Sequence, residues 1–202
     1  KYSIYTKFII VCIRHLGPEK ALEAAKFASK VKDKNVVGFG MAGDETKFNT
    51  LDFMRSFDFA KQSGLGTTTH AGEICGAKSV DEAIKLGVTR VGHGVRSCES
   101  EETIINISKE NILLEVCPGS NIALGLYSSL DDHPINFLLN KDIPVSISTD
   151  DPPFFSTSLS KEYQDLYNVF GWGFEVFSQI NKKSLEFAFC EAKLKEKLIQ
   201  QL

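Results

Sequence analysis

The sequence predicts an α/β fold of parallel strands in a (β/α)8, TIM-barrel type arrangement, of which this chain holds about six strand–helix units. Three observations carry that expectation. Apolar, β-rich runs alternate with helical stretches along all 202 residues. Successive strands begin roughly 22 to 33 residues apart, the length of a βαβ unit with its crossover. Polar residues sit at the C-terminal ends of several different strands: Gly43-Asp44-Glu45, His70, His93, Ser120-Asn121 and Asp150-Asp151. An open doubly wound sheet gathers its ligands at one switch point, whereas a barrel recruits nearly every strand end.

The elements follow in order. Phe8 to Ile13 (FIIVCI) is a continuous apolar run of the kind found in strands buried on both faces. Pro18 opens a helix in which Ala21, Ala25, Ala28 and Val31 recur at three- to four-residue spacing. Val36 to Gly40 is the second strand, followed by helix from Asp52 to Gln62. Gly66 to His70 is the third, and Ser79-Val80-Asp81-Glu82 reads as a capping box for a short helix that Gly87 ends. Thr89 to Gly92 and Ile112 to Cys117 are strands, with a helix from Ser100 to Lys109 between them. Pro134 starts a helix striped by Ile135, Leu138 and Leu139, and Pro144 to Ser148 is the last strand. Leu159, Tyr163, Leu166, Tyr167 and Phe170 form one helical face that Gly171 stops, and a final amphipathic helix is expected from Lys183 to the C-terminus.

No linker or low-complexity segment divides these units, so residues 1–202 are expected to form a single partial β/α-barrel domain. A full barrel needs eight strands, and the chain opens at Lys1 without an initiator Met, close to a core-like strand. The first two strands are therefore expected to be missing, supplied by an N-terminal segment or a complementing chain.

Composition narrows the function classes. A hydrophobic fraction of 43% allows a sizeable core, and a net charge of −3 offers no electrostatic footprint for nucleic acid or an anionic membrane. The longest apolar run is too short to span a bilayer and no small-residue cleavage site follows it. Five scattered cysteines without a CxxC pair read as reduced thiols of a cytoplasmic protein, with Cys12 and Cys117 packed in strands.

Three short clusters carry chemistry. His70-Ala71-Gly72-Glu73 places an imidazole at a strand end with a carboxylate three residues on; one group can bind metal while the other handles a proton. His93 stands between Gly92 and Gly94, which leave its ring unobstructed. Asp150-Asp151-Pro152 sets two adjacent carboxylates directly after a buried strand, where they repel unless a cation or hydrogen bonds compensate. Each has a bland reading as well: a hydrogen-bonded structural His, a surface turn, and a helix cap. His, His and Asp at successive strand ends are together suited to Zn²⁺.

HAGE, VGHG and STDDP, in this order and at these distances, resemble the motifs of the adenosine deaminase family within the amidohydrolase barrels. Ala42 to Thr46 and Cys117 to Asn121 match family segments too, and the resemblance covers essentially the whole chain. The HxE and PCxxC signature of the other zinc deaminases is absent, as is HExxH. By resemblance, His70 and Asp150 are zinc ligands, Glu73 donates a proton to purine N1, and His93 orients and electrostatically supports the zinc-bound hydroxide. Asp151 hydrogen-bonds N7, and the Gly43 backbone N–H meets N3. The implied cofactor is one Zn²⁺ per complete site, which lowers the pKa of water to about 7. The implied reaction is hydrolytic deamination of adenosine to inosine and ammonia in purine salvage. Free adenine is the runner-up substrate, because the ribose-contacting region lies largely outside this chain.

The remaining polar candidates read as structure. His15 is expected on a wall or surface, and His133, before Pro134, as a helix N-cap. Asp44 and Glu45 are expected to be caps or to hold the neighbouring loop, while Phe154 and Phe155 line the pocket or pack in the core. Family members draw two further zinc ligands from a His-x-His, yet no two of the four histidines here are two residues apart. Two protein ligands fall short of the usual three, so this chain alone is expected to bind zinc weakly and turn over slowly. A noncatalytic remnant of the fold is the alternative class.

Overall fold

The computed structural model describes residues 4–202. Six parallel strands form one sheet in sequential order: β1 (Phe8–Ile13), β2 (Val36–Ala42), β3 (Gly66–Ala71), β4 (Arg90–His93), β5 (Leu113–Val116) and β6 (Val145–Ile147). Between them run α1 (Pro18–Lys30), α2 (Met54–Gln62), α3 (Ala77–Lys85), α4 (Glu101–Lys109), α5 (Pro118–Ala123) and α6 (Ile135–Asn140). After β6 come α7 (Pro152–Phe155), α8 (Leu159–Phe170), α9 (Phe174–Phe187) and α10 (Ala192–Ile199). The expected strand–helix alternation is thus present, and sequential parallel order is that of a barrel wall.

Strand alternation sorts the side chains between two faces. In β3, Thr67, Thr69 and Ala71 are buried on one face, while Thr68 and His70 occupy the other. The buried face packs on the helices: Phe39 of β2 meets Phe57 of α2 edge-on with ring centroids 5.2 Å apart, and Ile107, Leu114 and Leu138 are fully enclosed. The opposite face corresponds to a barrel interior. There Thr68 donates a hydrogen bond to Glu115 across β4 at 2.6 Å, and Arg90 pairs with the same carboxylate at 2.8 Å. Among the described residues β1 and β6 pair on one side only, and Val11 and Ile13 of β1 remain 45% and 40% exposed.

Two local expectations are corrected. Ser79 is not an N-cap: α3 begins at Ala77 with Gly76 at the cap position and no side-chain cap. The Ser79 hydroxyl bonds back to the Gly76 carbonyl and, more strongly, to Glu45, a partner 34 residues away. The final helix, expected from Lys183, begins earlier, at Phe174, and is broken into α9 and α10 because Ala188 and Glu191 are extended and Phe189 turns out of the helical path. Its ring lies over the Arg90 guanidinium, 3.8 Å from centroid to Cζ, and against Gly38 and Gly66 near the strand starts. A continuous helix could not place that ring there.

Candidate active site

The polar residues gather at the C-terminal ends of β3 to β6. The register pairs His70 with Gly92 and Ala71 with His93, so the two imidazoles stand on neighbouring strands one step apart. Gly92 is required by this approach: a Cβ there would come within 2.6 Å of His70 Cδ2. The rings meet edge-to-face with centroids 4.8 Å apart. His93 Nε2 lies 3.5 Å from Glu73 Oε2 and 3.9 Å from Asp150 Oδ2. Metal-capable atoms of His70, Glu73 and His93 lie within 4.8 Å of one another, as do those of His93, Cys117 and Asp150. His93 is the residue shared by both groups.

Backbone strain marks the same place. His93 and Asp150 both take left-handed φ values, 60° and 56°, where non-glycine residues are uncommon. Each turns its side chain off the strand end toward the cluster. Asp150 Oδ2 accepts a hydrogen bond from Ser120 Oγ at 2.8 Å, which fixes its carboxylate.

Burial sets the protonation states. The Glu73 carboxyl is pushed up to about 7 by burial, reinforced by the charges of Asp150 and Glu45. The same enclosure pushes His93 down to about 3, aided by the neighbouring His70. His70 is also lowered by burial, partly offset by Asp150. The His93–Glu73 contact is therefore one between a neutral ring and a carboxyl group, not an ion pair.

The two remaining expected residues flank this cluster. Gly43 follows β2 with φ 100° and is exposed, and a Cβ there would meet the His15 ring. Asp151 is exposed at the start of α7. His15 is on the surface, as expected, and Phe154 is 84% exposed, which removes it from the core.

Glu45 is the residue whose weight the sequence understated. Its buried carboxylate accepts the backbone N–H groups of Gly72, Glu73, Ile74 and Cys75 at 2.6 to 3.2 Å, and the Ser79 hydroxyl at 2.6 Å. This clamps the loop that carries Glu73, so the loop-holding alternative is the correct one. Buried Arg14 donates to the Glu45 carbonyl at 2.9 Å and to Thr50 at 2.8 Å. Glu162 of α8 plays a parallel part: it accepts the Gly119 N–H at 2.9 Å and the Thr157 hydroxyl at 2.6 Å. A side chain at Gly119 would run into Glu162 Oε1, so glycine there lets α8 anchor the segment bearing Ser120 and Asn121.

His70 and Asp150 fit a zinc ion in donor chemistry, as a neutral imidazole and a carboxylate. Cys117 is buried beside His93 and Asp150, and burial raises its thiol above the usual range. His70 and Asp150 belong to different groups of close donors, joined by His93.

Histidines and carboxylates at the C-terminal ends of several strands of one parallel wall are the arrangement found at the mouth of β/α-barrel enzymes. The adenosine deaminase family model matches residues 1–202. The chain belongs to the adenosine deaminase family. A curated relative from Agrobacterium fabrum, named adenine deaminase, is 41% identical over the full chain, which spans 62% of that relative's length. A crystal structure of adenine deaminase from Arthrobacter aurescens superposes with a TM-score of 0.91 at 26% identity, covering 96% of this chain and 60% of that one. The N6-methyl-AMP deaminase of Arabidopsis thaliana gives a TM-score of 0.88 at 28% identity, with 96% and 57% covered.

Proposed function

We propose that this chain supplies the larger part of the active site of a zinc-dependent aminohydrolase that converts a 6-aminopurine to the 6-oxopurine and ammonia, with adenine as the substrate. The observation that carries the reading is the convergence of His70, Glu73, His93 and Asp150 at neighbouring strand ends. Adenine is favoured over the adenosine expected from the motifs because the 41% identical relative is named adenine deaminase.

His70 and Asp150 would hold the metal, which supplies Lewis acidity and makes water a competent nucleophile near neutral pH. Glu73, kept largely protonatable at neutral pH by its burial, donates a proton to ring nitrogen N1. That proton transfer makes C6 electrophilic. Water adds at C6 and gives up both its protons, one restoring Glu73 and one passing to the amino group; the C6–N bond breaks and ammonia leaves. Glu45 holds the Glu73 backbone in place during this exchange, and Ser120 holds the Asp150 carboxylate. His93 orients the attacking water through Nε2. Asp151 and the Gly43 N–H grip the purine edge at N7 and N3.

The test is an assay of adenine, adenosine and N6-methyl-AMP side by side. The 202-residue chain is assayed with zinc, alone and mixed with the part of the Agrobacterium fabrum relative that it does not cover. Ammonia and hypoxanthine from adenine, with slower reaction of the nucleoside and nucleotide, is the expected result. Formation of a stable complex with no deamination of any of the three would favour the noncatalytic alternative.

A further inference from the structure

A buried chain of side chains leads away from the site behind His93. The Ile135 N–H, at the start of α6, donates to His133 Nδ1 at 3.2 Å. His133 Nε2 lies 3.1 Å from Asn121 Oδ1, and Asn121 Nδ2 lies 3.3 Å from His93 Nδ1. All three side chains are at most 3% exposed, so water cannot substitute for any of these partners.

The direction of every bond follows from the backbone end. A peptide N–H can only donate, so His133 Nδ1 must carry a lone pair. A doubly protonated His133 would set donor against donor, and its enclosed position also pushes it down to about 4. The single ring proton is therefore on His133 Nε2 and is donated to Asn121. Asn121 must present its oxygen to His133 and its amide hydrogens to His93. Turning the amide over would ask a neutral imidazole to accept at both nitrogens, which it cannot do. His93 Nδ1 is then an acceptor, and its proton sits on Nε2, the nitrogen facing Glu73 and Asp150.

We infer that His133 and Asn121 are positioning residues that lock His93 in its Nε2–H tautomer, making the site-facing nitrogen a hydrogen-bond donor and keeping it from coordinating a metal. A free imidazole exchanges its proton between the two nitrogens. Here the backbone amide of Ile135 decides the matter three side chains away. The consequence for catalysis rests on the proposed deaminase reading, whereas the tautomer itself does not.

The test is ¹⁵N NMR, at a pH above 7, of this chain labelled in its histidine rings and held in metal-free complex with the unlabelled part of the Agrobacterium fabrum relative that it does not cover. There are four histidines, and the His93 signals are those lost in His93→Gln. The expected result is a protonated Nε2 and an unprotonated Nδ1 for both His93 and His133. In Asn121→Asp the carboxylate can only accept, so a proton should move onto His93 Nδ1. In His133→Leu, Asn121 is free to turn and His93 should become a mixture of tautomers. A protonated Nδ1 on His93 in the unmodified chain would overturn the inference, as would an unchanged tautomer in both variants. A locked tautomer in a complemented protein that deaminates nothing would sink the functional reading and leave this one standing.

Discussion

Glu73 and Asp150 are two carboxyl groups in different surroundings. Glu73 is raised to about 7 by burial and by neighbouring negative charge, so it can hold a proton near neutral pH. Asp150 is fixed by Ser120 at the end of β6. In the complemented assay, Glu73→Gln should lower kcat roughly 10²-fold or more while leaving bound zinc unchanged. Asp150→Ala should lose the zinc. Elemental analysis of the two dialysed variants separates these outcomes, and the reverse pattern would exchange the roles. His133 gives a test by stability alone. Its folded-state pKa, about 4, lies below the ordinary histidine value of 6.5, so the unfolded chain binds the proton first as pH falls. The stabilisation is complete above about pH 6.5 and is lost progressively down to about pH 4, on the order of 3 kcal/mol in all. Urea unfolding midpoints between pH 7 and pH 4.5 should fall less steeply for His133→Gln than for the unmodified chain.

At the scale of elements, the loop after β3 depends on a strand-end residue of a different βα unit. Replacing Glu45 by Gln turns one acceptor oxygen into a donor that faces backbone N–H groups, leaving buried donors unpaired. Each such group costs about 1–3 kcal/mol. Glu45→Gln should therefore destabilise the chain by roughly 2–3 kcal/mol and speed amide exchange at Glu73, Ile74 and Cys75, read by denaturation and hydrogen exchange. Unchanged exchange at those amides would show that the loop holds itself. The periodicity that marked each strand and most helices carried no trace of this clamp, since its partners lie 27 to 34 residues apart. The same blindness explains Ser79, whose local pattern reads as a cap while its hydroxyl serves Glu45, and Phe189, whose burial against Gly38 and Gly66 breaks a helix that amphipathicity alone would continue.

For the whole molecule, the sheet has two unpaired outer edges among the described residues, and β1 offers Val11 and Ile13 to solvent from the face that forms a barrel interior. Natural edges are protected by charges, bulges or covering segments. The 202-residue chain on its own should self-associate, and the uncovered part of the Agrobacterium fabrum relative should convert it to a discrete complex. Sedimentation velocity with and without that partner reads both outcomes. A sharp monomer boundary for the chain alone would mean that the open wall is stable unaided.

The sequence by itself determined the parallel α/β class, the six strand–helix units and the strand-end positions of His70, His93 and Asp150. Those features follow from local periodicity and from the rule that such strands all point their C-terminal ends one way, so residues at several strand ends share one mouth. Only the tertiary structure decided that Glu45 clamps the Glu73 loop, that Ser120 fixes Asp150, and that a backbone amide at Ile135 reaches His93 through His133 and Asn121. These are pairings of buried donors with acceptors far apart in the chain. Desolvation makes each partner obligatory, yet nothing in the neighbouring residues records which partner it is.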